Sequence, residues 1–535
     1  MVLILLNWLV VFLFASLSGV VVNHYLKITH KNAAFVVLIG IIFQTLFLSV
    51  CAIFYKINAA VFALNGMLLL VLFLKFKKAY FIFLKSLFSA FTKLQLVLFL
   101  ILVILTALKS AQLPSIFDNE SYYVQTIKWL NEYGFVKGVA NVHPFLGQFS
   151  FWHVLQSGFN FSFLAHSFND INGFLLLVVV YFYFEKHIEN PFNWSFFGIL
   201  FLIFYFQFID APSPDLPILL FSSIVFFEHI NQGTETKSVL LFIVFMIFIK
   251  VTIAPLALIA LFYCFRNKKI GIYFSVISFF FGTLWVLKNI IISGLPLFPL
   301  TFFPTNFDWQ MKIEVLKTLT QATIDAGYTE NLMPTANFSL IEKLKFWWNL
   351  KGLNSFFNKG IVFLFLLMPF TPIFKTNQNF KFLYFVLVGQ FVFILVTSPQ
   401  YRFFLPTFIL FFTWFIFYFQ KIIQFFNVQL TCFFGIACLV VNLFVDFRKL
   451  EVKQTIQVRQ LFIPEGITQY TQLMFQKKSI RNFHFYDPDL DNFYETANGN
   501  LPCVNENLIF YYNYLPQQRT DDIKDGFCFK EWKNE

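Results

Sequence analysis

Long apolar runs alternate with short polar loops along the chain. Met1–Val22, Ala33–Tyr55, Ala59–Leu74 and Leu94–Leu108 come first. Ile171–Phe184, Trp194–Ile209, Leu216–Ile230 and Ile270–Ile292 follow, then Ile361–Phe374, Phe382–Thr397, Phe403–Phe419 and Leu430–Val445. A membrane crossing takes about 20 apolar residues, so each run predicts a transmembrane helix, several of them short. Basic residues in short loops mark the cytoplasmic side. They occur at Lys27 and Lys31, through Lys75–Lys93, at Arg266, Lys268 and Lys269, and at Lys375 and Lys381. The run Ser238–Phe265 must then begin and end on one side, which predicts a hairpin of two short helices with Lys250 near its outer turn. The whole is an all-α polytopic bundle of about 12–14 transmembrane helices with both termini outside.

Composition supports this reading. Hydrophobic residues make up 58% of the chain and charged ones 13%, against about 25% charged in a soluble domain. An ordinary cytosolic enzyme, a disordered chain and a collagen are excluded. The net charge of +11 invites a nucleic-acid partner, but the Lys and Arg sit in the short loops, where they set topology; no nucleic acid is expected. Met1–Val22 lacks a basic leader and a clear cleavage motif, and reads as a retained helix. Three regions result: N-terminal helices (1–108), a core with outer loops at 109–149, 210–217 and 293–360 (109–446), and a polar C-terminal α+β domain (447–535).

The outer loops collect the candidate chemistry. The first begins Phe117-Asp118-Asn119-Glu120-Ser121-Tyr122-Tyr123-Val124-Gln125. On a helix Asp118 and Tyr122 are i, i+4 neighbours. A carboxylate beside an apolar interface suits a general base, although on local sequence alone Asp118 also suits a helix N-cap. His143 follows in Asn-Val-His-Pro, and the aromatic segment from Phe149 to Phe168, with His153, Gln156 and His166, suits the membrane interface. The second outer loop, Asp210-Ala-Pro-Ser-Pro-Asp215, places Asp215 at the start of a helix. Lys250 lies inside an apolar run, where an ionisable group usually faces a polar cavity. Lys288-Asn289 and the Arg402 of Pro-Gln-Tyr-Arg-Phe come at outer helix ends. Acids for activating a hydroxyl and cations for binding phosphate are thus expected on one side of the membrane.

In these elements and their order, the chain resembles the GT-C superfamily, the integral membrane glycosyltransferases that use polyprenyl-phosphate sugars. The resemblance rests on Asp118 with Tyr122, the Pro-rich turn with Asp215, Lys250 in its short helix pair, Lys288-Asn289 before Ser293-Gly294, and Arg402, and runs from about residue 90 to 410. More narrowly, the stretch from Asp118 through His143 resembles a group of uncharacterised bacterial membrane proteins placed near that superfamily. Here Asn119 separates Asp118 from Glu120, where the superfamily often has adjacent acids. The resemblance implies Asp118 as catalytic base with Glu120 beside it, and a location in the bacterial cytoplasmic membrane. The expected reaction transfers a sugar from a lipid-phosphate-linked donor to an envelope glycan, glycolipid or protein acceptor. Substrate contacts are expected from Tyr122, Gln125, His143, Asp215, Lys250, Lys288, Asn289 and Arg402. No metal is required, though Asp118 and Glu120 suit a divalent cation. A flippase of lipid-linked glycans and a glycan polymerase remain alternative readings. Finally, Cys503 and Cys528 are the two cysteines outside the apolar runs, and an outside tail predicts a disulfide between them.

Overall fold

The computed structural model describes residues 1–28, 32–89, 91–164, 168–189, 201–231, 235–330, 333–418, 428–446, 451–452, 456–470 and 472–530. His166, Lys31 and the first half of the expected span Trp194–Ile209 lie outside these residues.

The chain is a mostly helical, multi-pass membrane protein. Its first four helices are α1 (Val2–Leu26), α2 (Ala33–Phe54), α3 (Ala59–Ser89) and α4 (Lys93–Ser110). They are tied by close approach and by buried polar groups. A Cβ on Gly19 would lie 1.8 Å from the Val36 carbonyl oxygen, and one on Gly40 would lie 1.6 Å from that of Ala15. Small residues let the α1 and α2 backbones touch, as membrane helices require in the absence of a hydrophobic drive between them. Gln44 donates to Ser18 Oγ at 2.7 Å and accepts from Asn65 at 2.6 Å, joining α1, α2 and α3.

The core continues with α5 (Val124–Glu132), α6 (Phe151–Phe159), α7 (Ile171–Glu189), α8 (Asp215–Ile230) and α9 (Thr236–Ile249). Next come α10 (Ala257–Arg266), α11 (Lys268–Ser293), α12 (Ile313–Tyr328), α13 (Leu340–Trp348) and α14 (Gly352–Leu367). The last of the bundle are α15 (Pro372–Thr376), α16 (Gln378–Thr397), α17 (Tyr401–Tyr418) and α18 (Val428–Phe444). Lys250 breaks the run between α9 and α10: it is extended, and a 3-10 turn over Val251–Leu256 follows it. Among the described residues seven helices are long and apolar enough to cross a membrane: α1 to α4, α11, Gly352–Phe370 and α16. Four shorter apolar helices, Thr236–Ile249, Val251–Arg266, Tyr401–Phe415 and Phe433–Phe444, account for part of the difference from the expected 12–14.

Among its described residues the tail has three antiparallel hairpins and one α-helix. β1 (Val445–Asp446) pairs with β2 (Glu451–Val452), β3 (Gln476–Ile480) with β4 (Phe483–Asp487), and β5 (Leu515–Gln518) with β6 (Phe527–Lys530). Helix α19 (Glu506–Tyr512) lies between the last two hairpins. The expected Cys503–Cys528 disulfide is not formed. Cys503 follows β4, bridged to Tyr486, and its buried free thiol turns to the Thr496 carbonyl at 3.4 Å; Cys528 sits opposite Gln517 in the β5–β6 hairpin. Backbone pairing thus holds Cys503 beside β4 and Cys528 in the β5–β6 hairpin.

The tail closes over the segment after α4. Thr496 and Ala497 amides donate to the Glu120 carbonyl at 2.8 and 2.9 Å, and Phe527 donates to Lys137 O at 2.9 Å. Tyr514 Oη reaches Val142 O at 3.0 Å. The ring of Tyr494 stacks on Phe145, with centroids 5.0 Å apart.

Candidate functional site

Four charged side chains from four distant segments meet at one end of the bundle. Arg402, in the first turn of α17, places Nη1 3.0 Å from Asp118 Oδ2 and 3.3 Å from Asp215 Oδ2. Lys250, at the break after α9, pairs with the other oxygen of Asp215. The faces of both cations are covered by Phe403, whose ring centre lies 4.0 Å from Lys250 Nζ. Asp215 is buried, while Asp118, Arg402 and Lys250 each keep about a fifth to a quarter of their side-chain surface open.

Local structure explains the aim of each carboxylate. Asp118 precedes a π-turn over Asn119–Tyr123 and makes no side-chain cap bond. The π-turn repeats at five residues rather than four. Its effect is to exchange the expected partner: Tyr123, not Tyr122, donates to Asp118 Oδ2, at 3.2 Å. Tyr122 lies alongside, its ring 4.7 Å from that of Tyr123 and 6.2 Å from His153. Burial, then the neighbouring Tyr122 and Asp118, pushes the Tyr123 phenol well above its ordinary pKa, so it remains a donor. Asp215 opens α8, where the helix dipole favours an anion. The turn before it is held by a buried pair, Lys109 Nζ to Asp210 Oδ2 at 2.9 Å, and by Asn172, which donates to Ala211 O and Ser213 O. Tyr123, Ser213 and Phe403 were not expected from the sequence; the Tyr-Tyr doublet and the residue after Arg402 were the available signals.

The remaining expected residues are placed elsewhere. Lys288 Nζ donates to Phe149 O at 2.7 Å and lies over the Phe151 ring, so its ammonium faces the start of α6 rather than the ion cluster. Asn289 donates to Pro296 O at 3.2 Å and holds the turn after α11. Glu120 turns to the tail: it accepts from Thr468 Oγ1, from the Gln469 amide at 2.9 Å and from Asn119 at 3.0 Å. Burial pushes its carboxyl up against these bonds, which favour the anion. Asp118 and Glu120 therefore face different partners. Among the described residues no group of three or more His, Cys, Asp or Glu is arranged to hold a metal ion. Gln125 donates to Gly499 O at 2.9 Å, again in the tail seam.

His143 belongs to that seam too. Its Nδ1 accepts from the Phe145 amide at 3.2 Å and its Nε2 faces Tyr494 O at 3.2 Å, which requires the neutral ring with Nε2 protonated. Burial lowers its pKa from 6.5 to about 4. A group depressed in the folded state contributes stability above its unfolded pKa and loses it as pH falls. Tail docking should therefore weaken from about pH 6.5 down to about pH 4, by up to about 3 kcal/mol. His143→Gln should flatten this dependence when limited proteolysis of the tail is followed against pH. An unchanged profile would assign it to another group.

The family described as "Domain of unknown function (DUF8201)" matches residues 1–409 of the 535. The chain belongs to this family. Within the DUF8201 match lie Asp118, Asp215, Lys250 and Arg402, so the whole ion cluster falls inside the matched region, while the residues after 409, the tail among them, do not. No curated protein and no solved structure matches the chain.

Proposed function

We propose that the protein is a membrane glycosyltransferase of the GT-C kind. It would transfer a sugar from a polyprenyl-phosphate-linked donor to an envelope glycan, glycolipid or protein acceptor on the outer face of the cytoplasmic membrane. The observation that carries this reading is the sharing of Arg402 between Asp118 and Asp215, with Lys250 on the far oxygen of Asp215. Two carboxylates and two cations thereby meet at a partly open point. Arg402 Nε is buried and has no hydrogen-bond partner among the described residues.

In the proposed reaction the acceptor oxygen bonds to the anomeric carbon as the bond from that carbon to the phosphate oxygen breaks. Asp118 takes the proton of the acceptor hydroxyl. The departing lipid phosphate carries the negative charge, which Arg402 and Lys250 stabilise. The contacts of Asp118 to Arg402 and Tyr123 both use Oδ2, and Oδ1 is the oxygen offered to the acceptor. Lys288 is not needed, since its ammonium is engaged at Phe149.

The break at Lys250 also favours a second reading, because discontinuous helices line the substrate sites of many transporters. The two readings separate in one assay. Purified protein in liposomes is given a panel of prenyl-phosphate-linked hexoses and release of prenyl phosphate is measured. Asp118→Asn keeps the shape but cannot take the proton, and should lower release by about 10²-fold or more. Wild-type release in the variant would move the base elsewhere. Lipid translocation without release would favour the flippase.

A further inference from the structure

The polar loop between α11 and α14 exposes two apolar surfaces that packing within the chain does not explain. The first is the segment Leu300–Phe307. Leu300, Phe302, Phe303 and Phe307 are all exposed, Phe303 by 74%. Phe303 and Asn306 adopt left-handed backbone conformations, at φ 58° and 57°, which are uncommon for residues other than glycine. The segment is nonetheless fixed. Thr305 Oγ1 donates to Gly294 O at 2.7 Å, and the Asn306 amide donates to Gln310 at 2.8 Å. The aromatic rings are thus presented outward by an ordered turn.

The second surface is one face of α13. A capping box between Ser339 and Glu342 starts this helix. At 100° per residue, Leu340, Ile341 and Trp348 fall on one side, and all three are exposed, Ile341 by 68%. Lys345 is exposed at the edge of that face. Trp347 lies at the margin of this stripe, about 20° from Leu340 on the helix, where it is buried against the protein and its Nε1 donates to Pro399 O at 2.8 Å. An apolar stripe edged by lysine, on a short helix, is the pattern of a helix lying in the membrane interface.

The neighbouring spans indicate the occupant. α13 ends at Trp348 and the membrane-length helix Gly352–Phe370 begins four residues later. The Leu300–Phe307 segment follows α11, another membrane-length helix, which ends at Ser293. Both surfaces therefore emerge where spans leave the bilayer. We propose that Leu300–Phe307 and the Leu340–Ile341–Trp348 face of α13 form a lipid-docking surface, seated at the headgroup and acyl boundary of the leaflet beside the ion cluster. The occupant is the bilayer itself. Through Trp347 the same helix holds Pro399, three residues before Arg402, so lipid contact and placement of the Arg402 turn share one element. This inference stands whether or not the protein transfers sugars.

The test places a benzophenone amino acid at position 303 or 341 of the full chain in phosphatidylethanolamine–phosphatidylglycerol nanodiscs. Position 279, exposed on α11, is the lipid-facing control, and position 524, exposed in the tail, is the aqueous one. Variants are first checked for a single symmetric size-exclusion peak; two target positions guard against loss of either one. After irradiation, lipid adducts at 303 and 341 should match those at 279 and exceed those at 524 at least about tenfold. Adducts at the level of 524 would overturn the proposal. So would cross-links to a second copy of the chain, which would make the surface an interface between protein molecules.

Discussion

Replacing Arg402 with Met is expected to abolish transfer and to lower stability by about 3 kcal/mol or more, the usual result of leaving a partly buried charge unpaired. Arg402 is the one cation that touches both carboxylates of the cluster. Without it Asp118 and Asp215 share an apolar neighbourhood with Lys250 alone. Lys is expected to be a poor substitute, because a compact ammonium lacks the planar fork that serves two carboxylates. The decisive comparison is a cycle. Adding Asp118→Asn to Arg402→Met removes one negative charge and leaves the neutral Lys250–Asp215 pair, so stability should recover by about 1–2 kcal/mol, although activity should not. Thermal unfolding in detergent measures both steps. A single variant as stable as the wild type, or a double variant no better than additive, would mean that the four charges are not coupled.

Gly138→Val is expected to release the tail, with a loss of about 3 kcal/mol or more in docking. Gly138 has φ +64°, and a Cβ there would lie 2.0 Å from the Phe527 carbonyl oxygen and 2.8 Å from Trp309 Cβ. Neither neighbour is the far end of a flexible side chain. Phe527 begins β6, and its amide is bonded to Lys137 O, so the clash falls directly on the link between tail and core. Gly389→Ala is the control: in α16 nothing lies within 4 Å of the added Cβ, and the change should be nearly neutral. Limited proteolysis with detection of the released tail fragment distinguishes the two. A Gly138 variant as resistant as the wild type would show that the seam does not depend on this approach.

The sequence reading gathers acids with Lys250, Lys288 and Arg402 on one side of the membrane for a physical reason; in the structure Asp118, Asp215, Lys250 and Arg402 meet and Lys288 does not join them. Ionisable groups among apolar runs are costly to leave alone, and acids and cations at the same ends of helices are each other's nearest remedy. The break at Lys250 was legible too, because the basic loops require the run Ser238–Phe265 to return to its starting side. The helical class and the α+β character of the tail follow from hydrophobic period and polarity. What the sequence left open depends on direction rather than position. Lys288 and Lys250 read alike in one dimension, but Lys288 faces the Phe149 carbonyl and Lys250 faces Asp215. A π-turn of one extra residue made Tyr123 the partner of Asp118. Glu120, Gln125 and His143 bind backbone groups more than 340 residues away in the chain. Their partners are amides and carbonyls that every residue carries, so no side-chain pattern announces them. The cysteines of the tail were separated by strand pairing in the same way. Apolar length and charge determine that this chain crosses a membrane and gathers ions at one end; only the tertiary structure decides which atoms those ions touch, because rotation about a helix and long-range backbone bonds leave no trace in local composition.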